Sequence, residues 1–372
     1  MIYKEFQGKQ ISCLGLGCMR FPTLEDDKLT IDREKAQKVI DAAIAGGINY
    51  FDTAHIYQKG DSERFLGEAL KKYPRDSYYL ATKCFGSEHR DIAKTFEEQL
   101  QRLQTDYVDF YLLHSLNEDT VRFYTDPDKK YIEFLLEQKK AGRIKHIGFS
   151  THAEIPTLKR FLDYFDGFDM ALMQLNYVDW TVQNAKEQYE VLQQHGIPVW
   201  VMEPQKGGKL AVMNEETAAM LKAAAPDRSI ASWSFRWLLG LEGVQTVLSG
   251  MGDEAVMADN LATFADGKPL DTQELQILEQ VKETYLKCMG VPCSGCRYCC
   301  DGCPAGLDIP KLMGMYNEYG ITNDTWRFSN MDLDKGADAC LQCGACVSHC
   351  PQRIDIPDVM LKMQEIMKKE KD

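Results

Sequence analysis

Ten of the 13 cysteines in this 372-residue chain fall between Cys288 and Cys350, and only Cys13, Cys18 and Cys84 lie outside that window. So uneven a distribution draws a boundary before any fold is considered. A secreted disulfide framework needs an export signal, yet the N-terminal MIYKEFQGKQ scatters charge and has no apolar core. No later stretch is long and uncharged enough to span a bilayer. Dense cysteine in a reduced compartment points to metal ligation, so a soluble, cytoplasmic chain with a metal-holding tail is expected. The formal charge of -13 argues against a protein that tracks nucleic-acid phosphates, which needs a basic stripe to displace counterions. The expected partners are small molecules or proteins, with no nucleic acid and no membrane.

Ahead of the tail, residues 11 to about 265 alternate short apolar runs with longer amphipathic stretches. Strands are predicted at 11–15, 48–52, 78–82, 108–113, 144–149, 170–175, 198–202 and 244–249, with helical patterns such as 33–45, 62–71 and 93–103 between them. Eight strand-helix units over roughly 250 residues match a closed α/β barrel of the (β/α)8, or TIM, type. An open doubly wound sheet would announce a glycine-rich phosphate turn after its first strand. Here Gly15-Leu16-Gly17-Cys18 lacks the third glycine and runs into Pro22 instead of a helix. The expected organisation is a barrel over 1–265, a connecting helix over 266–288, and a small, mainly helical, cysteine-rich domain over 289–372. Leu275, Leu278, Val281 and Tyr285 share one face of the connecting helix, and Ile309, Leu312, Met313 and Tyr316 repeat that spacing inside the tail.

The tail carries Cys293-x2-Cys296-x2-Cys299-x3-Cys303-Pro304 and, later, Cys340-x2-Cys343-x2-Cys346-x3-Cys350-Pro351. This is the run of bacterial two-cluster ferredoxins written twice, and it predicts two [4Fe-4S] clusters. Three closely spaced thiolates converge on one cubane, and the fourth, followed by proline, reaches across to the other. The expected ligand sets are thus Cys293, Cys296, Cys299 and Cys350 on one cluster, and Cys340, Cys343, Cys346 and Cys303 on the other. Paired structural zinc sites also use CxxC, but they do not explain four-fold runs ending in Cys-Pro. Cys288 and Cys300 are taken as non-ligands, and Cys18 and Cys84 as small buried hydrophobes.

Chemistry in such a barrel gathers at the C-terminal ends of the strands. Asp52, Tyr57, Lys83 and His114 fall there, at the end of the second strand, in the loop beyond it, and after the third and fourth strands. Through Asp52-Thr53-Ala54-x2-Tyr57, Ala81-Thr82-Lys83, Leu112-Leu113-His114 and Gly148-Phe149-Ser150, residues 1 to about 265 resemble the aldo-keto reductase family. The resemblance implies a catalytic tetrad of Asp52, Tyr57, Lys83 and His114. Tyr57 would protonate a carbonyl oxygen while a nicotinamide delivers hydride to the carbon. Lys83 would stabilise the tyrosinate, Asp52 would keep Lys83 charged, and His114 would orient the oxygen or pass the proton.

The same resemblance places Ser150 and Gln174 at the nicotinamide carboxamide and Asn260 near the adenine. Thr151, Met202 and Glu203 depart from the residues usual in the family. So does the stretch from Ser249 to Val256, which has no basic residue where NADPH-preferring members hold the 2'-phosphate, while Asp253 and Glu254 would repel it. NADH is therefore favoured over NADPH. FMN is a further candidate, because hydride moves two electrons, each cluster moves one, and a flavin exchanges between the modes. The leading expectation is an oxidoreductase acting on a carbonyl or alcohol, with clusters that exchange electrons with a ferredoxin or flavodoxin. The alternatives are an ordinary reductase with structural or oxygen-sensing clusters, and a non-enzymatic barrel carrying an electron-transfer module.

Overall fold

The computed structural model describes residues 1–27, 29–288, 290–322, 325 and 335–369, without the side chains of Cys288 and residues 320–322. Its strands are β1 (Tyr3–Phe6), β2 (Lys9–Ser12), β3 (Leu14–Gly17), β4 (Tyr50–Asp52), β5 (Tyr79–Phe85), β6 (Val108–Leu116), β7 (Ile144–Thr151), β8 (Met170–Gln174), β9 (Val199–Met202) and β10 (Val244–Ser249). The last eight close into a parallel barrel in chain order, with β10 returning to β3, as the eight-unit pattern predicts. All nine residues of β6 are buried, the pattern of a parallel strand covered on both faces. The flanking helices begin where the sequence offers an acceptor: Asp32, Asp91 and Asp253 each take the backbone N–H three residues on.

Two details depart from the expected strands. The first, expected at 11–15, is split: residues 9–12 pair antiparallel with β1, and the barrel strand starts at Leu14. Ser12 causes the break, because its backbone N–H donates to Asn49 Oδ1 (2.8 Å) and its hydroxyl donates to the Leu14 carbonyl (2.7 Å). In addition β5, β6 and β7 run on to Phe85, Leu116 and Thr151. Lys83 and His114 therefore lie inside strands and not after them, so ladder bonds fix their backbones.

The N-terminal end of the barrel is filled by aromatic rings. Phe6 from the hairpin meets Trp200 edge-on at 5.1 Å, and Phe110 stacks on His146 at 4.8 Å. Neither ring nitrogen of His146 has a hydrogen-bond partner among the described residues. Burial pulls this histidine down to about 4, with Lys9 and Lys139 adding to the fall. The folded state therefore prefers the neutral ring, and the stability this gives is present above the unfolded value near 6.5 and is lost as pH falls toward 4. Between pH 7 and pH 5 the loss from this one group is about 2 kcal/mol. A His146→Phe chain is expected to lose less stability over that interval by the same amount, measured by urea unfolding at both pH values.

The described chain forms two compact units. One is Met1–Pro204 with Ala231–Asp271, which is the barrel. The other is Gln205–Ile230 with Thr272–Asp372, so a segment that follows β9 folds with the tail instead of the barrel. In this second unit the helix Glu215–Ala224 packs on the helix Thr272–Cys288, and Arg228 pairs with Glu274. The tail itself repeats. Each cysteine run leads to an Asp-Ile-Pro step and a helix, Ile309–Thr322 after Asp308 and Ile356–Lys369 after Asp355. Ile309, Leu312 and Met313 of one helix share an apolar core with Ile356, Val359, Met360 and Met363 of the other. No described helix is long and apolar enough to cross a membrane.

Candidate active site and cluster ligands

Asp52 ends β4, while Lys83 and His114 project from β5 and β6, the next two strands in the barrel. Lys83 is fully buried, and its ammonium donates to Asp52 Oδ1 and to the Thr53 carbonyl at 2.7 Å. Tyr57 is half-buried in the turn after β4, with its ring centroid 5.1 Å from Lys83 Nζ and 5.8 Å from the His114 ring. The four residues singled out by sequence thus meet at the C-terminal rim of the barrel. Two buried polar atoms among them have no partner among the described residues, Asp52 Oδ2 and His114 Nδ1. Buried polar atoms are nearly always satisfied, so such orphans are the mark of a site that expects a ligand.

The electrostatics depart from the expected tuning. Burial, and then the Asp52 carboxylate, push the Tyr57 hydroxyl well above the ordinary tyrosine value of 10. Lys83 does not reverse this, because its charge is spent on Asp52. Burial and the Lys83 charge hold His114 well below the usual histidine value, so it is neutral at pH 7. A neutral His114 has one N–H to donate to an oxygen and one nitrogen that can accept.

Behind Lys83 lies a buried network that sequence reasoning missed. Glu63 is fully buried and accepts from Thr82 (2.7 Å), Gln99 (2.7 Å) and Arg102 (3.1 Å). Gln99 also donates to the Lys83 carbonyl at 3.1 Å, so the network clamps the backbone that presents the ammonium. No local period marks these residues. Glu203 was noted only as a departure, yet its charge also acts on Tyr57. Tyr124 is buried, with its hydroxyl donating to the His114 carbonyl at 2.5 Å. Cys18 and Cys84 are fully buried, and burial raises the Cys84 thiol to about 12, which leaves it inert.

Ser150 stands one residue before the end of β7 and Gln174 ends the neighbouring β8. The Ser150 hydroxyl accepts from the Ser115 N–H at 2.7 Å, and the Gln174 amide donates to buried Asp179 at 2.7 Å. Asn260 is buried and donates to the Ser249 hydroxyl at 3.0 Å. Asp253 caps the helix Glu254–Asp266, placing a carboxylate at the helix end that would otherwise welcome a phosphate. One cation does approach this stretch. The stem of Arg20 lies against Gly250, within 3.1–3.4 Å of where a Cβ would stand.

In the tail the two cysteine runs share one backbone. Left-handed residues stand two and four places after the first cysteine of each run, at Gly295 and Arg297 and at Gln342 and Gly344. A third stands three places after the last, at Gly306 and Arg353. Such left-handed kinks fold a loop so that its N–H groups face inward on an anion. Cys299 lies within the electrostatic reach of Cys296 and Cys350, and Cys350 within that of Cys293. Cys346 is likewise paired with Cys340, Cys303 and Cys343, and Cys303, Cys340, Cys343 and Cys346 line one hollow. The four cysteines around that hollow are the ones the second crossed set names, and their thiol chemistry suits a cubane. Cys300 lies beside Cys299 and acts on Cys293 as well, and its surroundings include the Ile309 N–H, Arg297 and Asp308.

Residues 13–283 match the model of the Aldo/keto reductase family, and residues 292–354 match a 4Fe-4S dicluster domain. An uncharacterized oxidoreductase of Bacillus subtilis, YqkF, is 28% identical over 72% of this chain and 92% of its own length. The NADH-specific methylglyoxal reductase of Escherichia coli is 29% identical over 48% of this chain and 59% of its own. Among solved structures, the aldo-keto reductase AKR11C1 from Bacillus halodurans, in its holo form, superposes with a TM-score of 0.61 at 27% identity, over 76% of this chain and 96% of that one.

Proposed function

Because the chain belongs to the aldo/keto reductase family and ends in a 4Fe-4S dicluster domain, and is thus an iron-sulfur oxidoreductase, we propose that its barrel interconverts a carbonyl and an alcohol with NADH while its clusters pass electrons to or from a protein such as a ferredoxin or flavodoxin. The observation that carries this reading is the Lys83 ammonium tied to Asp52 beside Tyr57 and neutral His114. When bound, the reduced nicotinamide supplies hydride to the carbonyl carbon. Tyr57, kept protonated by burial, donates its proton to the oxygen. His114 orients that oxygen, and Lys83 offsets the negative charge left on Tyr57. Ser150 and Gln174 would hold the carboxamide and Asn260 would steady the adenine side.

The Asp253 cap and the absence of a basic residue from Ser249 to Val256 favour NADH, and the NADH-specific relative agrees. Arg20 beside Gly250 is the observation that favours NADPH instead, through a cation close to the 2'-phosphate. For the electron route, Cys343 is exposed and flanked by exposed Leu341 and Val347, which would bring the cluster it ligates near the surface of the tail. FMN is the exchanger to look for between two-electron and one-electron chemistry.

The test is an anoxic absorbance titration of the purified protein with NADH and, separately, NADPH. The expected outcome is bleaching of the broad iron-sulfur absorbance by NADH at lower concentration than by NADPH, with flavin bands betraying any exchanger. Nucleotide binding without bleaching would sink the electronic link and leave a simple reductase with structural or sensing clusters.

A further inference from the structure

The loop that opens the second compact unit buries a cation in a place the reductase chemistry does not use. Lys206 is fully buried, in a left-handed backbone conformation (φ 47°), and its ammonium donates to Gln352 Oε1 at 3.0 Å. Gln352 is itself buried and stands two residues after Cys350. The next residue, Gly207 (φ 67°), presses on the other end of the same ligand set. A Cβ there would stand 1.8 Å from the Ser294 carbonyl oxygen, so only glycine allows the loop this close to Cys293-Ser294. The charges of Lys209 and Lys206 both act on the Cys293 sulfur.

The segments around Cys293 and around Cys350, which the crossed sets assign to one cluster, are thus both met by this loop, the first through Gly207 and the second through the buried Lys206 ammonium, and a second, half-buried lysine, Lys209, lies on the same loop. The other set is placed differently. Lys335 reaches its neighbourhood, bonding the Ala305 carbonyl at 2.6 Å, but it is exposed, where water and salt screen its charge. Cys343 is exposed as well. A four-thiolate cluster gains negative charge on reduction, and a cation held in a low-dielectric setting stabilises that added charge most.

We propose that Lys206, assisted by Lys209, holds the reduction potential of the cluster bound by Cys293, Cys296, Cys299 and Cys350 above that of its neighbour. The two clusters are therefore unequal, and a first electron entering the tail rests on this one. Lys206 acts as a positioning and potential-setting residue; it is not a ligand.

The inference rests on the crossed ligand sets, and its test separates the two. Full-length protein, reconstituted anoxically with iron and sulfide, is titrated redox-wise under electron paramagnetic resonance, with iron and sulfide assayed alongside. A Cys343→Ser chain, retaining the first cluster alone, is expected to keep the higher midpoint; if it keeps the lower, the ordering is wrong. Lys206→Met is expected to lower the higher midpoint and leave the other in place, while Lys206→Arg keeps both near wild type. Full loading with unmoved midpoints, or equal shifts of both, overturns the role of Lys206. Should Lys206→Met fail to load, Lys209→Gln must lower the same midpoint by a smaller step, and an unmoved midpoint there overturns the proposal too. A chain that never loads two clusters in wild-type form indicts the ligand sets instead.

Discussion

A Tyr57→Phe chain is expected to reduce carbonyl substrates with kcat lowered by about two to four orders of magnitude, the usual worth of a positioned general acid. The substitution removes one hydroxyl and leaves the ring where it meets His114 at 5.8 Å and Lys83 at 5.1 Å, so nucleotide affinity should not change. Stopped-flow reduction and a fluorescence titration with NADH separate these two quantities. The pH profile gives a second check. Burial raises the Tyr57 hydroxyl well above 10, and an acid stays competent at every pH below its own value. Reduction by wild-type protein should therefore show no alkaline fall attributable to this group below about pH 10, while alcohol oxidation, which needs the tyrosinate, should climb with pH over the same range. Undiminished turnover by the variant would show that the proton comes from elsewhere.

The tetrad was legible because each member sits within a short motif at the C-terminal rim of the barrel, and the strands themselves are nearly continuous apolar runs. What surrounds the tetrad was not legible. Glu63 and Gln99 lie on two different helices and meet Lys83 only through the fold, so no spacing along the chain betrays them. The direction of the Tyr57 shift was missed for a related reason. Sequence shows a lysine that could lower it, but only the structure shows that ammonium committed to Asp52 and the Thr53 carbonyl. The first strand was misplaced because Ile11, Cys13 and Leu14 continue the apolar pattern past a single small serine, while the break is made by a hydrogen bond from Ser12 to Asn49, 37 residues away. The tail is the opposite case. Its cysteine spacing is itself the geometry, and even the left-handed positions recur at matching places in both runs. Residues 205–230 carry no cysteine, so nothing in composition assigns them to the tail, although Lys206 and Gly207 bear directly on it.

The proposed crossing of ligands makes the last prediction the most discriminating. If Cys350 serves the cluster of the first run, Cys293→Ser and Cys350→Ser damage the same cubane, and each alone should drop the iron content from about eight to about four per chain. The double Cys293→Ser/Cys350→Ser chain should then lose no more than either single. Cys293→Ser/Cys303→Ser strikes both clusters and should lose nearly all the iron. An uncrossed arrangement, with each run closing its own site, gives the reverse pattern, because Cys293 and Cys303 would share a cluster and the double with Cys350 would empty both. The hollow that Cys303 lines together with Cys340, Cys343 and Cys346 favours the crossed outcome. Stability should follow the iron. Cys293, Cys299 and Cys346 belong to the same small apolar core as Leu312, Met313 and Met360, so ligands and core are partly the same residues. A small unit of this kind draws folding energy from its metal. The chain that loses both clusters should accordingly become protease-sensitive between Cys293 and Cys350 while the barrel, with its separate core, still binds NADH.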